Sequence, residues 1–96
     1  MFIVSLTYIS PLEEIEKCLS EHVEFLDEHY KCGNFQLSGR KVPRTGGVIL
    51  VTVQDRAALD KILVQDPFYR NGLASYEVIE FVPTKSSQAL EFLVEK

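Results

Sequence analysis

His22 and Asp66 are the two side chains of this chain best placed by type and position to move a proton. An imidazole titrates nearest neutral pH, so a partly buried histidine with a carboxylate partner is the usual general base or acid. His22 lies on the edge of an apolar stripe, three residues after Leu19 and four before Leu26. That position suits equally a histidine satisfied in the core or at an interface, with no catalytic role. His29, two helical turns further on, stands near a helix end where a cation meets the helix dipole favourably, and the structural reading is preferred for it. Asp66 opens the stretch DPFYRNG. Aspartate before proline is the pattern of an N-cap followed by proline at the first helical position. A capping carboxylate keeps a second oxygen, which could bond His22 and orient its ring, as the acid does in hydrolase triads. Capping alone and capping with proton chemistry both fit the residues.

The cations that could accompany such a pair are few. Arg40, Lys41 and Arg44 form the one basic cluster, within GRKVPR. It is too small for a nucleic-acid footprint, and a net charge of −4 argues the same way. It is large enough for one small anionic ligand. Arg44, with Arg40, could hold a substrate carboxylate or a developing oxyanion through a guanidinium fork. Ser38 and Tyr69 are candidate lining residues.

Other chemistries find weaker support. Cys18 and His22 share a helix face, but His29 lies roughly 10.5 Å along the axis from His22, too far to share an ion at bonds of ~2.1 Å. No third ligand stands out, so no metal site is expected. Cys18 sits in a mostly acidic helix, which disfavours a thiolate nucleophile. The loop GRKVPRTGG lacks the phosphate-binding spacing, and no serine occupies a G-x-S-x-G turn.

These residues need elements to hold them. Phe2–Ile9 alternates and is rich in β-formers, giving a first strand. Ser10 as cap and Pro11 as first helical residue open a helix that runs to about Cys32, where Gly33 stops it. Its predicted core stripe is Leu12, Ile15, Leu19, Val23, Leu26 and Tyr30, flanked by Cys18 and Phe25. Phe35–Gly39 reads as a short strand with Phe35 and Leu37 on one face. Val48–Val53 is an apolar strand, entered tightly through Gly46 and Gly47. Asp55 caps a second helix, Tyr76–Val82 is the last strand, and residues 86–96 form a helical tail.

The cysteines, Cys18 and Cys32, lie roughly 21 Å apart on one helix, beyond the ~7 Å a disulfide spans, so free thiols and a reducing compartment are expected. No apolar run approaches the ~20 residues of a membrane span, and the apolar start lacks the basic segment of a signal peptide. A cytoplasmic protein is expected.

The order β-α-β-β-α-β, without repeats or linkers, predicts one domain over 1–96. The fold class is α+β: a ferredoxin-like antiparallel four-stranded sheet with both helices on one face. Both faces of the predicted strands are apolar, so the face opposite the helices needs a second cover. A second copy of the chain is the simplest, giving a homodimer packed sheet to sheet.

The stretches EHVEFLDEHYKCGNFQLSG, VPRTGGVIL and DPFYRNGLASYEVIEFVP, in this order and spacing, resemble the YCII-related (YciI-like) family of small dimeric α+β barrel proteins. The resemblance covers about His22 to Pro83. It implies a ferredoxin-like protomer dimerised through its sheet, with His22 and Asp66 paired in a cleft. It further implies acid–base work without a cofactor on a small cyclic or unsaturated acid or phenol, as in a dehydrochlorinase or an isomerase. Arg40 departs from the family, where proline often follows the loop glycine. Two functions are therefore expected in parallel: a cofactor-independent lyase or isomerase using His22 as base and Asp66 to orient it, or a non-catalytic dimer that binds or senses a small ligand. A purely structural module is the third reading.

Overall fold

The computed structural model describes residues 1–95. Four strands, β1 (Phe2–Tyr8), β2 (Phe35–Arg40), β3 (Gly46–Val51) and β4 (Ala74–Glu80), form one antiparallel sheet in the order β2-β3-β1-β4. Four helical segments accompany them: α1 (Leu12–Lys17), α2 (Leu19–Lys31), α3 (Arg56–Leu63) and the single turn α4 (Pro67–Arg70). This is the expected ferredoxin-like α+β arrangement. Among the described residues, no helix is long and apolar enough to cross a membrane.

Alternation along the strands decides where the core lies. Phe2, Val4 and Leu6 of β1 and Ile49 and Val51 of β3 are buried. They pack with Ile15, Phe25, Leu59, Ile62, Leu63 and Phe68 from the helical layer. The opposite face carries a different row. Leu37 pairs with Leu50, Leu50 with Ile3, and Ile3 with Ile79, so four apolar residues cross all four strands side by side. Leu37 is 67% exposed and Ile79 58% exposed.

Several local expectations are corrected. The long helix is broken at Cys18, whose backbone leaves the helical region (φ −101°, ψ 1°) between α1 and α2. Pro11, not Ser10, holds the cap position, with an extended ψ of 149° and no side-chain cap bond. The buried face lies beside the predicted stripe: Leu19, Val23 and Tyr30 are exposed, as is Leu12 of α1, while Ile15, His22, Phe25 and His29 face the core. In β2 an irregularity between Phe35 and Leu37 shifts the register by one residue. A bulge of this kind reverses the alternation, so Phe35 faces the core and Leu37 the open face. That shift also turns Ser38 and Arg40 towards the helices. The last strand begins two residues earlier than expected, at Ala74, and the tail holds a 3-10 helix (Gln88–Leu93) instead of an α-helix.

Candidate active site

Asp66 is fully buried and holds three donors. As the N-cap of α4, it accepts the Phe68 N–H on Oδ1 at 3.0 Å, with Pro67 in the first turn. The same oxygen faces His22 Nδ1 at 2.8 Å. The second oxygen accepts the Tyr76 hydroxyl at 2.6 Å. A capping aspartate therefore also binds α2 to β4. Burial, and next the Asp66 charge, push the Tyr76 phenol well above its usual range, so it stays protonated and donates.

The His22 ring lies flat on Phe68, with centroids 4.1 Å apart and planes 11° from parallel. Stacking and the Asp66 bond together fix the imidazole. With Nδ1 committed to the carboxylate as donor, Nε2 is the ring's available acceptor. No buried side-chain polar atom among the described residues lacks a partner, so Nε2, which bonds nothing, reaches open space.

That space is a cleft of about 210 Å³ between α2 and the β3–β2 side of the sheet. Leu19, Val23 and Leu26 of α2 form one wall, so part of the exposed helix stripe is the cleft's own lining. Leu6, Tyr8, Gly46 and Gly47 form its floor, and Ser38 and Arg40 close the far side. Gly46 is required by close approach: a Cβ there would stand 1.9 Å from the Leu6 carbonyl oxygen.

The expected site residues divide accordingly. His22, Ser38 and Arg40 meet in this cleft, with Asp66 behind His22. Ser38 is hydrogen-bonded to the Tyr30 hydroxyl. Arg44 lies outside the lining and pairs with Glu16 at 3.4 Å. Tyr69 lines a separate hollow with Arg56 and Asp60, its ring against that of Tyr76. His29 accepts from Asn34 Nδ2 at 3.1 Å on Nδ1, and its Nε2 meets Gln65 at 2.9 Å. Both its nitrogens are hydrogen-bonded and it is 5% exposed, so it serves as a buried structural residue near the helix end. Among the described residues, no three His, Cys, Asp or Glu side chains converge as a metal site requires.

Sequence reasoning missed Tyr76, Phe68 and Tyr8. Tyr76 had a readable signal. It occupies the inward position between Ala74 and Val78, where a tyrosine brings a hydroxyl that needs a buried partner.

Comparison with known proteins places this geometry in context. The sequence model of a family described as YCII-related domain matches residues 1–82. Among curated proteins, nothing matches. Eight chains of solved structure match. One is 5-chloro-2-hydroxyhydroquinone dehydrochlorinase (TftG) from Burkholderia phenoliruptrix AC1100, in complex with 2,5-dihydroxybenzoquinone. The TM-score is 0.72 at 16% sequence identity, covering 86% of this chain and 95% of that one, a likeness of fold.

Proposed function

The chain belongs to the YCII-related domain family, and from that membership and the geometry of its cleft we propose that it is a small-molecule enzyme of lyase or isomerase type, working by acid–base chemistry on its own side chains. The observation that carries this reading is the 2.8 Å contact of His22 Nδ1 with Asp66, which leaves Nε2 as an oriented acceptor at an apolar cleft.

His22 Nε2 takes a proton from a carbon or hydroxyl of the bound molecule. The positive charge that forms on the ring is compensated by Asp66 through Nδ1–H, and Tyr76 and the Phe68 N–H keep that carboxylate in place. The electron pair released either expels a leaving group, an elimination, or moves along a conjugated system that is reprotonated elsewhere, an isomerisation. Dehydrochlorination, named for the structural neighbour, is an elimination of this kind. The cleft is smaller than the ~300 Å³ at which drug-sized pockets begin, so the substrate is no larger than about one ring with short substituents.

A homodimer belongs to the same proposal. The open-face row Leu37, Leu50, Ile3 and Ile79 is the surface through which two copies would pack.

Solvent deuterium incorporation separates the enzyme from the alternative, a non-catalytic ligand-binding or sensing dimer. Small phenols, enols and unsaturated acids, 2,5-dihydroxybenzoquinone among them, are incubated with the protein in D₂O and followed by NMR. The enzyme is expected to accelerate exchange at one position, and His22→Ala to lose about a hundredfold or more of it. Exchange at the wild-type rate in His22→Ala would overturn the assignment. Saturable binding without exchange of any probe would leave the sensing dimer.

A further inference from the structure

Arg40 stands at the opposite end of the cleft from the His22–Asp66–Tyr76 network, and the sheet register fixes that opposition. Arg40 pairs with Gly47, Gly47 with Leu6, and Leu6 with Tyr76. These four residues form one row on the helix-facing side. At ~4.8 Å between strands, the Cα atoms of Arg40 and Tyr76 are about 14 Å apart. The two residues between them, Gly47 and Leu6, are cleft floor. Gly47 leaves the middle of the row open. A Cβ on it would come within 3.0 Å of both Leu6 Cδ1 and the Gly39 carbonyl oxygen.

The charge around this floor is one-sided. The chain has 14 acidic residues and a net charge of −4, yet among the described residues no aspartate or glutamate lines the cleft. Its lining contains one permanent cation, Arg40. The other cations of the loop are engaged elsewhere: Arg44 pairs with Glu16, and Lys41 donates to Thr7 on the sheet's open face at 3.0 Å. Among the described residues, Arg40 makes no ion pair and no side-chain hydrogen bond. A cleft without lining carboxylates in an acidic protein, edged by an exposed and unpaired arginine, favours an anion at that end.

We propose that Arg40 selects the substrate class of this cleft: a planar monocarboxylate of about one ring, its carboxylate on the Arg40 guanidinium and its far edge beneath His22 Nε2. A carboxylate matches the guanidinium fork with two parallel hydrogen bonds. One arginine without a phosphate-binding loop is too little for a phosphate ester, which carries nearly twice the charge. The apolar walls Leu19, Val23 and Leu26 take the ring. The inference rests on the cleft being the ligand site of the proposed enzyme and adds which end of the ligand lies where.

The test compares benzoate with its neutral isostere benzamide, titrated into the ¹⁵N-labelled protein and read at the Gly46 and Gly47 amides. Benzoate is expected to bind about tenfold more tightly than benzamide, and Arg40→Gln to erase most of that difference. Equal binding of the two probes, an unchanged preference in Arg40→Gln, or no benzoate response at these glycines would each overturn the proposal. Failure of the parent reading looks different. Arg40-dependent benzoate binding without His22-dependent deuterium exchange leaves an anion-binding cleft without catalysis. His22-dependent exchange without charge discrimination leaves the enzyme and removes the carboxylate end.

Discussion

His22 Nδ1 and Asp66 Oδ1 are 2.8 Å apart across 44 residues of sequence, and the aspartate that makes this contact also caps α4. One carboxylate thus starts a helix turn, orients an imidazole and accepts a tyrosine hydroxyl. The site is held by the same bonds that hold α2, α4 and β4 together, so its chemistry and its stability are linked.

Asp66→Ala is therefore expected to cost about 3 kcal/mol or more. Loss of the cap accounts for ~1 kcal/mol. The Tyr76 hydroxyl and His22 Nδ1–H, each left without an acceptor, add about 1–3 kcal/mol apiece. Urea unfolding followed by circular dichroism checks this. Asp66→Asn keeps the shape and an acceptor oxygen, so its cost should be clearly smaller. Equal costs for the two variants would show that shape and one neutral acceptor recover nothing, so that the contribution lies in the carboxylate's charge and second acceptor oxygen.

Tyr76 gives a pH-dependent signature. Burial and the Asp66 charge raise its pKa in the folded state above the unfolded value of about 10. Below pH ~10 the phenol is protonated in both states, and its stabilising contribution is complete. Above that pH the unfolded chain loses the proton while the folded chain keeps it, so stability falls as pH rises. Tyr76→Phe should lower stability at neutral pH and flatten the alkaline decline. It should leave unchanged the tyrosinate absorbance that the protein gains before unfolding. A parallel decline in wild type and variant would remove Tyr76 as its source.

The glycines of the cleft region separate structural need from tolerance. Gly46→Ala places a methyl group 1.9 Å from the Leu6 carbonyl oxygen, which cannot move without opening the β1–β3 ladder. A loss of about 3 kcal/mol or more, or failure to fold, is expected. A Cβ added at Gly39, on the open face of β2, would meet nothing within 4 Å, and Gly39→Ala should stay within about 0.5 kcal/mol in the isolated protomer. Thermal unfolding of the two variants side by side gives the comparison.

The order of the elements was legible in the sequence because each is announced locally. Asp55 and Asp66 stand at their caps as expected, the Asp55 side chain accepting the Ala58 N–H at 2.8 Å. Gly33 ends α2 at φ 76°. What sequence could not deliver were the features decided between elements. The stripe Leu19, Val23 and Tyr30 has good helical spacing, yet the face that meets the sheet is the neighbouring one, with Ile15, His22, Phe25 and His29. Hydrophobic period identifies a helix but not which of two comparable faces meets the sheet. The β2 bulge likewise has no composition signal, yet it alone puts Arg40 in the cleft and Leu37 outside it. The sequence points first to Arg44, with Arg40 beside it, as the anion holder; the fold instead pairs Arg44 with Glu16 and places Arg40, unpaired among the described residues, in the cleft lining.

The open face of the sheet supplies the last prediction. Leu37, Leu50, Ile3 and Ile79 lie in one row across the strands. A two-fold axis through such a sheet places each residue of the row in the interface twice, so one substitution changes two positions of the dimer. Burying an exposed leucine or isoleucine side chain stabilises by about 1.5–3 kcal/mol, and a buried unpaired carboxylate opposes association further. Leu37 and Ile79 are more than half exposed in the protomer, so a charge at either should spare the protomer's own core. Leu37→Glu and Ile79→Glu are each expected to convert a dimer into a monomer in sedimentation velocity, with the far-ultraviolet circular dichroism unchanged. A wild-type protein that sediments as a monomer, or variants that remain dimeric, would move the interface away from this face, and the row would need another explanation for its exposure.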